Sequence, residues 1–313
     1  MRTTLLAALA ATAVLACAAR AADDCQLKRL ASLDMSIEAA GRIMIPVSIG
    51  GHPLTFAVDT GSDHTMITQA AAQALGLQTN LFTGSHNWLW GGARLTSYVN
   101  VDDFQIGRTR VGKSQFYVLP QGYGTPGMDG VVGTDVMRYF DVDFDFGSGK
   151  LNLFDRYHCS GQVVYWTDES NVAKLSFQKT VHSGGPARPD VDKILFYVTI
   201  DGKDFLAVLD TGAAVTTMNL DEAQSAFGLG PDSPGMEKVK LNRPGDSYRY
   251  RFKTLAFGGV NVANPEIRLD SYELNKLPGS FPSVIVGMNV LRRLHLYVSY
   301  EEHTLYISTA EAK

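Results

Sequence analysis

Laid on itself at an offset of 151 residues, the stretch from Arg42 to Ile67 matches the stretch from Lys193 to Met218 without a gap. Eight of 26 positions are identical: Ile43, Val47, Ile49, Gly51, Asp59, Thr60, Gly61 and Thr65 in the first copy. Ordinary composition supplies roughly one or two by chance. The match resumes at an offset of 154, where Val131-Val132-Gly133-Thr134-Asp135-Val136-Met137 faces Ile285-Val286-Gly287-Met288-Asn289-Val290-Leu291. The chain is one unit used twice, and at 313 residues two domains are the natural expectation.

Each unit reads as β structure. Ile43, Ile45, Val47 and Ile49 alternate with other residues, Gly50-Gly51 supplies a turn, and Leu54 to Val58 is an apolar run ending at Asp59, the pattern of a hairpin. The second copy turns at Asp201-Gly202, a strong two-residue hairpin signal. Gln69 to Leu75, stopped by Gly76, and Leu220 to Phe227, stopped by Gly228, read as short helices. Each unit closes on alternating strands, with Val142, Phe144 and Phe146 in one and Leu294, Leu296, Val298 and Tyr300 in the other. Asp141, Asp143 and Asp145 alternate with the first set and are expected on the solvent face of their strand. Ser183 to Pro189, rich in Gly and Pro, reads as the linker.

Charge excludes one large class of function. Lys and Arg number 28 against 32 Asp and Glu, a net charge of -4, so no footprint for nucleic acid exists. The first residues read as an export signal. Arg2 starts it, Leu5 to Ala19 is apolar, and Ala19-Arg20-Ala21 has the small-x-small form that a signal peptidase cuts, giving a leader of residues 1–21. The expected product is exported, periplasmic or secreted. Val14-Leu15-Ala16-Cys17 also resembles a lipoprotein signal, in which Cys17 would be lipidated. No later stretch reaches about 18 residues without charges or Gly and Pro breaks, so no membrane span is expected. With the ordinary cut Cys25 and Cys159 remain, and an exported protein with two thiols favours a disulfide between them. It would close a loop of 134 residues, contributing about 4–5 kcal/mol in the chain-entropy model.

The chemistry lies in the shared tripeptide. Asp59-Thr60-Gly61-Ser62 and Asp210-Thr211-Gly212-Ala213 each end an apolar strand, where a buried carboxylate is costly unless it is held or used. A twofold repeat can bring the two together. Gly61 and Gly212 permit a tight turn that aims an N–H at a carboxylate, and the Thr60 and Thr211 hydroxyls can bond across the axis. Two adjacent carboxyls do not both ionise cheaply, so one keeps a proton while the other polarises a water.

These residues resemble an aspartic peptidase of the retropepsin and pepsin clan, in the form of a bacterial single chain with two retropepsin-like units. Asp59-Thr60-Gly61-Ser62-Asp63-His64-Thr65 is close to the retroviral pattern Asp-Thr-Gly-Ala-Asp-Asp-Thr. Val131-Val132-Gly133 and Ile285-Val286-Gly287 match the family's second signature, 74 residues past Asp59 and 77 past Asp210. The resemblance runs from about Ile43 to Ser308. It implies an all-β, bilobal acid-protease fold with a pseudo-twofold duplication: lobes at 22–158 and 193–313 joined by a segment at 159–192. It further implies a cleft with Asp59 and Asp210 at its base, hydrolysis of peptide bonds in a peptide or unfolded protein, and no metal or cofactor. One chain supplies both halves, so a monomer is expected. A flap should cover the cleft. Trp88-Leu89-Trp90-Gly91-Gly92 is the candidate in the first unit, bulky residues beside flexible glycines. Its counterpart Arg243-Pro244-Gly245-Asp246 is polar, so the lids are expected to be unequal. The alternative is a catalytically silent peptide-binding module of the same fold.

Ser62 can donate to Asp59 where Ala213 offers Asp210 no hydroxyl, so Asp210 is the expected protonated partner. His64 reads as a surface or packing residue. Gly107 to Ser114 satisfies the P-loop expression, but Lys113 leads into a strand rather than a helix. The Asp141, Asp143 and Asp145 run lacks the Gly and Glu of a calcium loop, and no zinc spacing occurs.

Overall fold

Both expected hairpins form, and the backbone explains why those turns are where they are. A computed structural model describes residues 26–82, 87–88, 94–177, 193–241, 245–271 and 282–310. Strands Ile43–Ile49 and His52–Val58 pair antiparallel with Ile49 opposite His52. The intervening Gly50 and Gly51 take φ of 56° and 80°, the left-handed pair that a two-residue turn needs to follow the strand twist. Strands Leu195–Ile200 and Lys203–Leu209 repeat this, with Asp201 at φ 44° and Gly202 at 80°. The strain at Asp201 is offset locally, because its Oδ1 accepts from the N–H groups of Lys253 at 2.9 Å and Thr254 at 2.7 Å.

The second strand of each hairpin pairs in parallel with the apolar-apolar-Gly segment of its own unit. Val58 lies opposite Val132 and Leu209 opposite Val286. The first unit builds an eight-stranded sheet and the second a nine-stranded one. Ile43–Ile49 also pairs with Ser97–Ile106, which curls the first sheet upon itself. Helices Gln69–Ala74 and Leu220–Phe227 follow in equivalent places, capped by Thr68 and Asn219 and stopped at Gly76 and Gly228, both left-handed. Arg108 sits in the turn between strands Ser97–Ile106 and Thr109–Leu119, and Lys113 lies in the latter, so the P-loop look-alike is a β-hairpin.

The closing strands of the two units do not stay apart. They form one six-stranded sheet in the order Arg29–Asp34, Lys150–Phe154, Asp141–Asp145, Leu294–Ser299, Thr304–Thr309, Ala173–Ser176. The seam between lobes is an ordinary antiparallel ladder running from Val142 opposite Val298 to Asp145 opposite His295. Ala173–Ser176, from the connecting segment, forms an edge strand on Thr304–Thr309.

One face of this sheet carries Val142, Phe144, Leu151, Leu153, Leu296, Val298, Leu305 and Ile307 into the main core. The other face corrects an expectation. Asp141 and Asp143 are not on a solvent face, since both are 0% exposed. Side chains from the stretch after Phe154 cover them. His158 Nε2 lies 2.6 Å from Asp141 Oδ2, and Tyr165 donates its hydroxyl to Asp143 Oδ2 at 2.5 Å. Within the sheet, His295 Nε2 is 2.6 Å from Asp143 Oδ1, and Asn152 donates to Asp143 Oδ2 at 2.8 Å. Trp166 stacks on His295 with centroids 4.4 Å apart. Alternation decides which way a residue points. It does not say what is laid on top.

The leader at 1–21, Cys17, Cys25 and the linker residues Ser183 to Pro189 lie outside the described residues. Among the described residues no helix is long and apolar enough to cross a membrane.

Candidate active site

Each Asp-Thr-Gly loop is hung from the parallel pairing just described. The Asp59 N–H donates to Val132 O and the Asp210 N–H to Val286 O, both at 3.0 Å. Within each loop the chain turns back on its own carboxylate. Gly61 N–H donates to Asp59 Oδ1 at 2.9 Å, while Asp210 Oδ1 accepts from both Gly212 at 2.8 Å and Ala213 at 3.0 Å.

The threonines tie one loop to the other, as their position in the repeat suggests. Thr60 Oγ1 donates to Leu209 O and Thr211 Oγ1 to Val58 O, each at 2.8 Å. The same hydroxyls accept in return, Thr211 Oγ1 from Thr60 N–H at 3.1 Å and Thr60 Oγ1 from Thr211 N–H at 3.0 Å. Both threonines are fully buried, so four satisfied bonds cross the junction where an unpaired group would cost about 1–3 kcal/mol.

This bracing brings the two carboxyls together. Asp59 and Asp210 are hydrogen-bonded to each other, and each rests against the glycine of the opposite loop. A Cβ on Gly61 would stand 2.5 Å from Asp210 Cγ, and one on Gly212 would stand 2.6 Å from Asp59 Oδ1. Only hydrogen fits in either gap. Gly212→Ala is expected to lower the unfolding free energy by about 1–3 kcal/mol through overpacking. An unchanged thermal midpoint would contradict the close approach.

The apolar-apolar-Gly segments hold the loops from behind. A Cβ on Gly133 would fall 2.6 Å from the His64 carbonyl carbon and one on Gly287 2.6 Å from that of Val215. Behind them lies a pair of supports that sequence reasoning missed. Thr65 binds Asp135 through its N–H at 2.9 Å and its hydroxyl at 2.7 Å. Thr216 binds Asn289 Oδ1 in the same two ways, at 2.7 and 2.9 Å. The signal was present, since Thr65 is one of the eight identities and Asp135 faces Asn289 in the second match.

Electrostatics raise both aspartates above the usual carboxylate range. Burial raises the Asp59 carboxyl well above the usual range, and the charge and hydrogen bond of Asp210 push it further. Burial raises Asp210 as well, but its bonds from Asp59, Gly212 and Ala213 and the charge of Lys193 pull it back. The pair therefore holds on to a proton that either carboxyl alone would lose. The Ser62 hydroxyl donates to His64 O at 2.9 Å rather than to the carboxylate, and main-chain N–H groups serve both aspartates alike, those of Gly61 and Ser62 on Asp59 and those of Gly212 and Ala213 on Asp210. Both aspartates are half-buried.

His64 packs as expected. Its ring stacks on Tyr117 at 4.4 Å, and Tyr117 stacks on Phe82 at 4.7 Å. Next to this row, Asn87–Trp88 pairs with Arg94–Leu95 in a small hairpin, anchored by buried Leu95. The flap candidate Trp88 is on its first strand, whereas Trp90, Gly91 and Gly92 lie outside the described residues, as do Arg243 and Pro244 in the second unit.

Residues 45–136 and 196–290 each match the model of a family described as aspartyl protease, and together they cover more than half of the chain. The chain belongs to the aspartyl protease family. The two matches fall on the two units, so this aspartyl protease carries the family's module twice. It is 25% identical over 193 residues to secreted aspartic protease 7 of Candida albicans, a match covering 54% of this chain and 32% of that protein. The chain thus spans about a third of the length of that curated relative.

Proposed function

We propose that this aspartyl protease is an endopeptidase that cleaves peptide bonds in peptides or unfolded proteins with a water activated between Asp59 and Asp210. The observation that carries the reading is the pair of interacting, half-buried aspartates, one from each unit. Ionised Asp210 takes a proton from the water as its oxygen attacks the peptide carbonyl carbon. Protonated Asp59 donates to the carbonyl oxygen, where negative charge develops. Collapse of the resulting diol passes the Asp210 proton to the leaving nitrogen, breaks the C–N bond and gives a hydroxyl proton back to Asp59, which restores the starting pair. In this reading the segment that includes Trp88, Trp90, Gly91 and Gly92 serves as the lid.

The same proposal includes lobes at 22–158 and 193–313, export behind a leader at 1–21, and a Cys25–Cys159 bridge. The printed name of the Candida relative supports export, and the bridge is supported by Cys159 not being a free thiol. The test is digestion of a denatured protein at mildly acid pH. Cleavage should be blocked by pepstatin and absent in Asp59→Ala. Cleavage that survives in Asp59→Ala overturns the proposal, and peptide binding without any cleavage would mark a silent binding module instead.

A further inference from the structure

The sheets of the two units carry matched rows of side chains on the face turned away from the main core, and the rows differ in chemistry. Ala57 and Val208 stand two residues before Asp59 and Asp210, so alternation sets each on the aspartate's side of its strand. Cross-strand pairing extends the first row from Met44 through Ala57, Val131 and Met66 to Tyr117 and Tyr98. The second runs from Leu195 through Val208, Ile285 and Thr217 to Arg268 and Arg249. Counterparts are 151 residues apart, except Val131 and Ile285 at 154. The near ends of the rows agree, being apolar and buried. The far ends do not. Tyr117 stacks with His64 and Phe82, whereas its counterpart Arg268 sets its Nε on both oxygens of buried Asp270, at 3.1 and 2.9 Å. The Arg268 side chain keeps 25% exposure, and among the described residues its two terminal amino groups donate to nothing. Arg249 is taken up by Glu237 at 2.8 Å and Glu266 at 3.5 Å.

We propose that Arg268 is a specificity-determining residue that receives a carboxylate side chain of the substrate. The favoured peptide then has Asp or Glu on the second unit's side of the bond that is cut, and an apolar or aromatic residue at the matching place on the first unit's side. The inference rests on the peptidase reading and adds to it the class of substrate. A guanidinium whose Nε is fixed by one carboxylate presents its terminal amino groups as an oriented fork, which fits a second carboxylate. An uncharged side chain leaves these partly sheltered donors poorly matched, and discrimination arises there. The distance suits such a contact. Arg268 lies three strands across the sheet from the one that ends at Asp210, about 14 Å. A residue two places from the cut bond covers about 7 Å of that as extended backbone, and the Glu and Arg side chains span the rest.

The test measures kcat/KM of the full chain on peptides that carry Glu, Gln or Leu in turn at each position flanking a fixed apolar pair. At one position the parent is expected to cut the Glu peptide about tenfold faster than the Gln peptide. That ratio should fade as pH falls through about 4.3, where the substrate carboxyl takes up a proton. Arg268→Met is expected to bring the ratio close to one, and Arg268→Lys, a charge without the fork, to leave it in between. A parent with no preference for Glu at any position overturns the proposal, as does a preference that survives in Arg268→Met. Thermal unfolding is followed beside cleavage. If Arg268→Met does not fold, Arg268→Lys decides, and an unchanged ratio in it overturns the proposal. If the parent chain cleaves nothing, the peptidase reading falls by itself. Binding of the same Glu and Gln peptides then decides: equal affinities overturn the inference, and tighter binding of the Glu peptide that Arg268→Lys weakens supports it.

Discussion

Asp210→Asn is expected to reduce kcat/KM for peptide cleavage by about 10³–10⁴, the range that loss of a positioned general base produces. The substitution changes little else. An amide has the size of a carboxyl, its oxygen still accepts from the N–H groups of Gly212 and Ala213, and the four threonine bonds between the loops do not involve it. What disappears is the only acceptor strong enough to take a proton from water while its neighbour keeps one. Two full charges at about 4 Å would repel by about 4 kcal/mol at an effective dielectric near 20, which is why the parent pair holds a single charge. Removing that charge from a half-buried site should leave the thermal midpoint unchanged or slightly raised. Steady-state cleavage measured beside thermal unfolding separates the outcomes. A loss below tenfold with an intact fold would mean that Asp210 is not the base.

The second large effect lies away from the aspartates. His158→Ala leaves Asp141 buried without its ring partner, and removing one member of a buried pair costs about 3–5 kcal/mol, or on the order of 10 °C in midpoint. Tyr297 would still donate to Asp141 at 3.2 Å, and this limits the loss. The pH dependence follows from the two directions. Burial alone would lower the His158 pKa, but the Cys159 carbonyl, Asp141 and Glu302 outweigh it and raise it above the usual 6.5. A raised histidine contributes stability that is complete below about pH 6.5 and is lost as pH climbs through the folded value. Burial raises Asp141 too, so its contribution is complete below about pH 3.8 and is likewise lost on the way up. Both signs agree. The parent should unfold more readily at pH 8 than at pH 6, and His158→Ala should flatten that slope. Urea midpoints at the two values measure it, and an equal slope in the variant would sink the assignment.

How far the sequence could be read depended on the range of the interaction. Turns at Gly50-Gly51 and Asp201-Gly202, and helices ending at Gly76 and Gly228, are set within a few residues, and all four stand where the local pattern puts them. The aspartate loops were legible because the repeat presents each motif twice, which also signals that Asp59 and Asp210 meet. The failures came from elsewhere. Asp141 and Asp143 lie on the outward side of their strand, and only folding the chain brings His158 and Tyr165 over them. The bond expected from the Ser62 hydroxyl to Asp59 does not form, because the sequence does not show that this hydroxyl turns to the His64 carbonyl. Ala173–Ser176 carried no strand signal of its own, as its pairing comes from the exposed edge of Thr304–Thr309.

The ladder joining Val142 to Val298 and Asp145 to His295 has a consequence for how the molecule keeps its working distance. Main-chain pairing between the last strands of the halves allows only discrete settings, because a slip of one residue would swap the apolar side of Asp141–Asp145 with its carboxylate side. Like the teeth of meshed gears, that seam fixes how one half is indexed against the other. The reach between two small acidic groups is thereby calibrated by a part of the molecule that never touches what lies between them.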